Sequence, residues 1–122
     1  MTRSRATAKA AGASFERLIA DYLAARIDDR IDRRVKTGAK DRGDIGGLRH
    51  HGKRIVLECK NVTRWALASW LSQAEVERAN DDALAGIVIA KRVGKGHPGD
   101  QVAIMTVDTL IALFMGQRIE RD

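Results

Sequence analysis

Glu58 and Lys60 stand two residues apart at the end of an apolar run, Ile55-Val56-Leu57, within the stretch GDIGGLRHHGKRIVLECK from Gly43 to Lys60. In a β-strand alternate side chains share a face, so Glu58 and Lys60 point together and Cys59 points away. Asp44 lies a hairpin's length upstream, and in-register pairing sets it beside Glu58 on the neighbouring strand. Two facing carboxylates repel, and burial adds to the cost. A divalent cation relieves that repulsion, and hard oxygen ligands with an open water shell suit Mg²⁺, with Mn²⁺ able to substitute. A lysine beside them can orient a water, help take its proton, or balance charge developing on a phosphate. Those are the ingredients of phosphodiester hydrolysis. The same residues also fit an ordinary Glu58–Lys60 ion pair at a sheet edge, with Asp44 as a turn residue.

The elements that must position this trio can be read from spacing. Phe15, Leu18, Ile19, Tyr22, Leu23 and Ile27 recur at helical intervals, with Ser14 as cap, which predicts a helix to about Asp28. Residues 1–13, rich in Ala, Arg and Lys, read as a basic flexible arm ahead of a folded domain over 14–122. A short strand is expected over Ile31–Thr37, then a charged loop, TGAKDRGD. Ile45–Arg49 and Lys53–Asn61 form a hairpin around HHGK, with Gly52 supplying the turn. Thr63 is the expected cap of a second helix from Arg64 to Asn80, with Leu67, Trp70, Leu71 and Ala74 on its buried side. Leu84–Ala90 is a near-continuous apolar run, as for a strand covered on both faces. A loop, VGKGHPGD, a strand over Gln101–Val107 and a helix over Asp108–Gly116 complete the order α-β-β-β-α-β-β-α. The expected fold is a single α/β domain with a central mixed sheet flanked by helices.

The charge is not spread evenly. Ten Lys/Arg against four Asp/Glu between Arg30 and Lys60 account for the whole net charge of +6. Such a segment attracts polyanions, of which nucleic acid is the commonest in the cytosol, although a merely solvated basic face has the same composition. With 122 residues and 44% hydrophobic content the chain can bury one core. No apolar run approaches the ~18 residues that span a bilayer, and the N-terminus has no secretory pattern. The single cysteine suits a reducing compartment, so a cytoplasmic, nucleoid-associated location is expected, and the small basic chain fits a phage or mobile element.

The arrangement resembles the PD-(D/E)XK nuclease superfamily: an acid at the start of one strand, then (D/E)-x-K in the next, with helices on the sheet. Gly43-Asp44 stands where that family often has Pro-Asp, and Glu58-Cys59-Lys60 is its second motif. Gly12-Ala13-Ser14-Phe15-Glu16 is similar to the opening of archaeal-type Holliday junction resolvases. The resemblance implies a restriction-endonuclease-like core and a metal held by Asp44, Glu58 and Glu16. It further implies catalytic help from Lys60, with Gln73 contacting the lysine or a water from the second helix. Arg33, Arg34, Lys36, Lys40 and Arg42 would contact phosphates without reading bases. The implied activity is Mg²⁺-dependent cleavage of four-way DNA junctions in recombination and repair, by a homodimer able to make two opposed cuts. Two rivals remain: a restriction- or repair-type nuclease acting on flaps, nicks or ends, and a non-catalytic DNA-binding module with this fold.

Other signals are weaker. His50 and His51 with Cys59 lack the paired spacing of a zinc site and belong at the hairpin tip. GKGHPGD lacks the Lys-Ser/Thr ending of a phosphate loop. Trp70 fits the core and Trp65 an interface or a base-stacking position. Ser69 and Ser72 have no histidine nearby in sequence to activate them.

Overall fold

The computed structural model describes residues 3–35 and 40–121. These form one small α/β domain whose elements run α1 (Arg5–Arg26), β1 (Asp32–Arg33), β2 (Ile45–Gly46), β3 (Arg49–His50), β4 (Lys53–Lys60), α2 (Leu67–Asn80), β5 (Ala85–Ala90), β6 (Val102–Ile104) and α3 (Val107–Met115). The described sheet has the order β1-β2-β4-β5-β6, with β3 paired to β4 beyond the end of β2. β4 and β5 run parallel, as their connection through α2 requires, and the other pairings are antiparallel. The expected mixed sheet between helices is therefore observed. No helix among the described residues is long and apolar enough to cross a membrane.

Strand alternation divides the interior into two layers. Ile55 and Leu57 of β4, with Ala85 and Ile87 of β5, face Phe15, Ile19 and Ala20 of α1 and Ala112 of α3. Val88 and Ala90 of β5 face the other way, onto Trp70 and Ala74 of α2. The period of two puts Val56, Glu58 and Lys60 on the α2 side and Cys59 on the α1 side. Gly86 lets α2 lie close, since a Cβ there would come within 2.5 Å of the Ala74 carbonyl oxygen.

Several boundaries differ from the sequence reading: the strand expected over Gln101–Val107 is Val102–Ile104, and the hairpin's first strand, expected over Ile45–Arg49, is split into β2 and β3. α1 begins at Arg5, capped by Ser4, whose hydroxyl accepts from Thr7 N at 3.1 Å; Ser14 lies inside the helix. Residues 5–13, expected as a flexible arm, are therefore helical. Alanine favours helix without an apolar stripe, and this half is tied down by Arg3 Nη1 donating to Asn61 O and Asn61 Nδ2 donating to Ala11 O. α2 begins at Leu67, with Ala66 rather than Thr63 preceding it and no side-chain cap. Trp65 and Trp70 have ring centroids 6.0 Å apart; five residues apart on a helix they would point some ~140° apart, so residues 63–66 must leave the helical path. The strand expected over Ile31–Thr37 is confined to Asp32–Arg33, and Lys36 and Thr37 lie outside the described residues. The hairpin turn is as expected, with His51 at φ 50° and Gly52 at φ 78°, the pattern of a tight two-residue turn.

Candidate metal and phosphate site

β2 and β4 pair with Ile45 opposite Leu57, which sets Asp44 opposite Glu58. The chain enters this position through Gly43, whose φ of 94° is out of reach of the proline that the resembled family often has there. A side chain at Gly43 would also strike Val56 Cγ1 at 2.5 Å. Asp44 is 1% exposed; its backbone N–H donates to Leu57 O at 2.9 Å and its Oδ2 accepts from Cys59 N at 2.8 Å. The acid is thus fixed between the two strands by three adjoining peptide groups, with Arg34 N donating to its carbonyl.

Glu58 is buried, and Lys60 Nζ lies 3.7 Å from its Oε1. The same ammonium donates to Gln73 Oε1 at 2.8 Å, so α2 holds the lysine from above while the strand holds it from below. Four of the expected residues, Asp44, Glu58, Lys60 and Gln73, are therefore gathered on the α2 side at the end of β4. Glu16 lies on α1, where its Oε1 accepts from Arg33 Nε at 3.2 Å, and its charge, like those of Asp44 and Glu58, acts on Cys59.

Two acids not anticipated from sequence join this group. One oxygen from each of Asp41, Glu58 and Glu77 lies within 4.8 Å of the others. Glu77 continues the buried stripe of α2 set by Trp70 and Ala74. An acid on that stripe is the signal that could have revealed it. Burial is the first cause that pushes Glu58 up to about 10, reinforced by Glu77 and by the charge of Asp44, and only partly opposed by Lys60. Burial also raises Glu77, with Asp41 and Asp44 adding to it. The pair clings to a proton because neither carboxylate is hydrated and each meets another acid. Cys59 is pushed up by burial and by Asp44, so its thiol stays protonated and is a poor nucleophile. Among the described residues the metal-capable group contains neither histidine nor Cys59.

The basic segment divides into different roles. Arg34 is not a free phosphate contact: its Nη1 and Nη2 grip Asp81 Oδ1 and Oδ2 at 3.0 and 3.3 Å, and Asp81 is 7% exposed. Arg54 adds two bonds to the Asp81 carbonyl. Lys40 and Arg42 are exposed on the loop leading to Asp44, and Lys36 lies outside the described residues. Beside Glu16 a groove of about 560 Å³ runs between α1 and β1, lined by Lys9, Arg17 and Arg33 among others.

Two substitutions should separate these roles. Arg34→Ala leaves Asp81 buried with reduced compensation and is expected to cost about 1–3 kcal/mol of stability, seen as a lower melting temperature, with the salt dependence of DNA binding unchanged. Lys40→Ala should do the reverse, leaving the melting temperature alone and lowering the salt slope by about one. Equal salt slopes for Lys40→Ala and wild type would place Lys40 off the phosphate path.

No protein-family model, no curated protein and no solved structure matches the chain, so its chemistry rests on the geometry itself.

Proposed function

We propose that the chain is a divalent-cation-dependent DNA endonuclease selective for branched structures, with the four-way junction as its substrate. The observation that carries this reading is the side-by-side placement of Glu58 and Lys60 on β4, with Asp44 opposite and Gln73 bonded to the lysine. An ion pair serving stability alone needs neither the second acid nor the glutamine, and buried ion pairs are weak stabilisers in any case.

The residues present fit a cation. Glu58 Oε2 is buried without a hydrogen-bond donor among the described residues, which an oxygen-seeking Mg²⁺ would satisfy. Asp44 and Glu58 would hold it, and the bound ion would supply Lewis acidity and a lowered water pKa. Asp44 is pre-set by its bond from Cys59 N, so it need not reorganise when the substrate arrives. Lys60 offers its ammonium to the scissile phosphate or the attacking water, and Gln73 fixes where that ammonium sits. Lys40 and Arg42, on the loop beside the acids, anchor the flanking phosphates and give the complex its register. Opposed cuts on a four-way junction require a second copy related by a two-fold axis.

The test is cleavage of a synthetic four-way junction with Mg²⁺, run beside matched duplex, nicked and flap DNA and an EDTA control. Cleavage confined to the junction and abolished by EDTA is expected. Equal cutting of plain duplex would move the chain to the restriction or repair class. No cleavage of any substrate with Mg²⁺ or Mn²⁺ would leave it a DNA-binding module.

A further inference from the structure

α2 lowers onto the end of β4 an acid that the hydrolytic reading does not use. Glu77 is 1% exposed, and among the described residues its carboxylate oxygens meet no N–H or hydroxyl donor, facing instead the acids Glu58 and Asp41. Glu58 Oε2, which faces the same space, is in the same condition. A buried carboxylate left without donors or counter-charge is among the costliest arrangements a fold can hold. An apolar side chain at position 77 would extend the Trp70–Ala74 stripe at no such cost, so the acid is not explained by the core.

The third member comes from the loop before Asp44 and is held in place by the same helix. Asn80 Nδ2, less than one turn beyond Glu77, donates to the Asp41 carbonyl at 2.8 Å. Gly43 N then donates to Asp41 Oδ1 at 2.9 Å, which turns the loop so that its acid meets the helix. The outcome is three carboxylates from a loop, a strand and a helix, with one oxygen of each within 4.8 Å of the other two. Around Mg²⁺, with bonds of about 2.1 Å, neighbouring ligand oxygens sit about 3 Å apart and opposite ones about 4 Å. Movements of an ångström or so would bring these oxygens into that shell.

We propose that Asp41, Glu58 and Glu77 form a binding site for a divalent cation of the Mg²⁺/Mn²⁺ class, with α2 rather than α1 contributing the helical carboxylate. The site shares Glu58 with the hydrolytic reading and deepens it, yet its occupancy needs no DNA. Glu58 then bridges two neighbourhoods: Asp44 and Lys60 along the strands, and Asp41 and Glu77 between the loop and α2. Two adjoining cations sharing one carboxylate is an arrangement suited to in-line displacement at phosphorus.

Titration calorimetry of Mn²⁺ into the protein without DNA tests this directly. Wild type is expected to bind Mn²⁺, and Glu77→Gln and Asp41→Asn each to weaken that binding by about tenfold or more, with circular dichroism showing a native fold. Should Glu77→Gln fail to fold, Asp41→Asn, at a half-buried loop position, decides alone. Wild-type affinity in the folded variants overturns the site while leaving cleavage by Asp44, Glu58 and Lys60 intact. Wild-type protein that takes up no Mn²⁺ at millimolar concentration also overturns it, the acids then being paired through shared protons. Binding lost in the variants, from a wild type that cuts no DNA, supports the site and removes the nuclease reading instead.

Discussion

Glu58→Gln is expected to lower Mg²⁺-dependent cleavage of a four-way junction by a factor of about 10³ or more, equivalent to about 4 kcal/mol of transition-state stabilisation. Glutamine keeps the size and shape of the side chain, so the Val56 face of β4 and its contact with α2 should survive. What it removes is the carboxylate at the point where every other group converges. Asp44 lies opposite it across the strands, Lys60 Nζ is 3.7 Å away along its own strand, and Glu77 and Asp41 approach from α2 and the loop. Junction affinity without metal should be kept, since metal-free Glu58 holds a proton and glutamine removes no charge there. Single-turnover cleavage and binding measured on the same preparations separate the two effects. Glu16→Gln provides the internal comparison: its carboxylate is already engaged by Arg33, and a smaller loss, within about tenfold, is expected there. Turnover of Glu58→Gln near that of wild type would end the assignment.

What could be foreseen from sequence follows from which regularities are local. Glu58 and Lys60 share a face because strands alternate, a rule that acts over a few residues. Asp44 reaches Glu58's side only because the register set by the turn, Arg49 opposite Arg54, slips by one residue before Ile45 meets Leu57, and that slip is not a local regularity. The family resemblance, together with helical spacing, sets Gln73 near Lys60, and the 2.8 Å bond agrees. Glu77 obeys the same spacing, at 70, 74 and 77, but it is an acid on an apolar stripe, and periodicity read through hydrophobicity passes over it. Asp41 could not be foreseen. A loop residue has no period, and its position depends on Asn80, far along the chain. Arg34 shows the opposite error: a basic run suggested phosphate contacts, whereas its partner Asp81 becomes a neighbour only once β1 and α2 are packed on the sheet. The apolar stripe of α1 points to a cap at Ser14, which lies well inside the helix. Alanine propensity and the Arg3–Asn61 tie carry the helix further back, to Ser4.

A stability measurement reaches the same acids without any substrate. In the metal-free protein, melting temperature is expected to fall as pH rises from 5 to 9, because the folded state holds a proton that the unfolded chain releases. Glu58 is pushed up to about 10 by burial and by the acids facing it, against an ordinary value of 4.5. Its contribution to stability is therefore complete below about pH 4.5 and is lost progressively as pH climbs toward the folded value. Each proton held differently changes stability by up to about 1.4 kcal/mol per pH unit. Local relaxation and water penetration reduce this, and a fall of about 2–3 kcal/mol across the window corresponds to roughly 5–10 °C for a chain of this size. Glu58→Gln carries no proton to lose, so its curve should be flatter and should lie above that of wild type at pH 8. Saturating Mg²⁺ should flatten the wild-type curve as well, since a cation replaces the proton between the carboxylates, and it should leave the variant nearly unmoved. Thermal melts in EDTA and in Mg²⁺, for both proteins across the pH range, give all four curves. Parallel curves for wild type and variant would mean that Glu58 is hydrated and ionised in solution, and the crowded carboxylates would lose their claim on a cation.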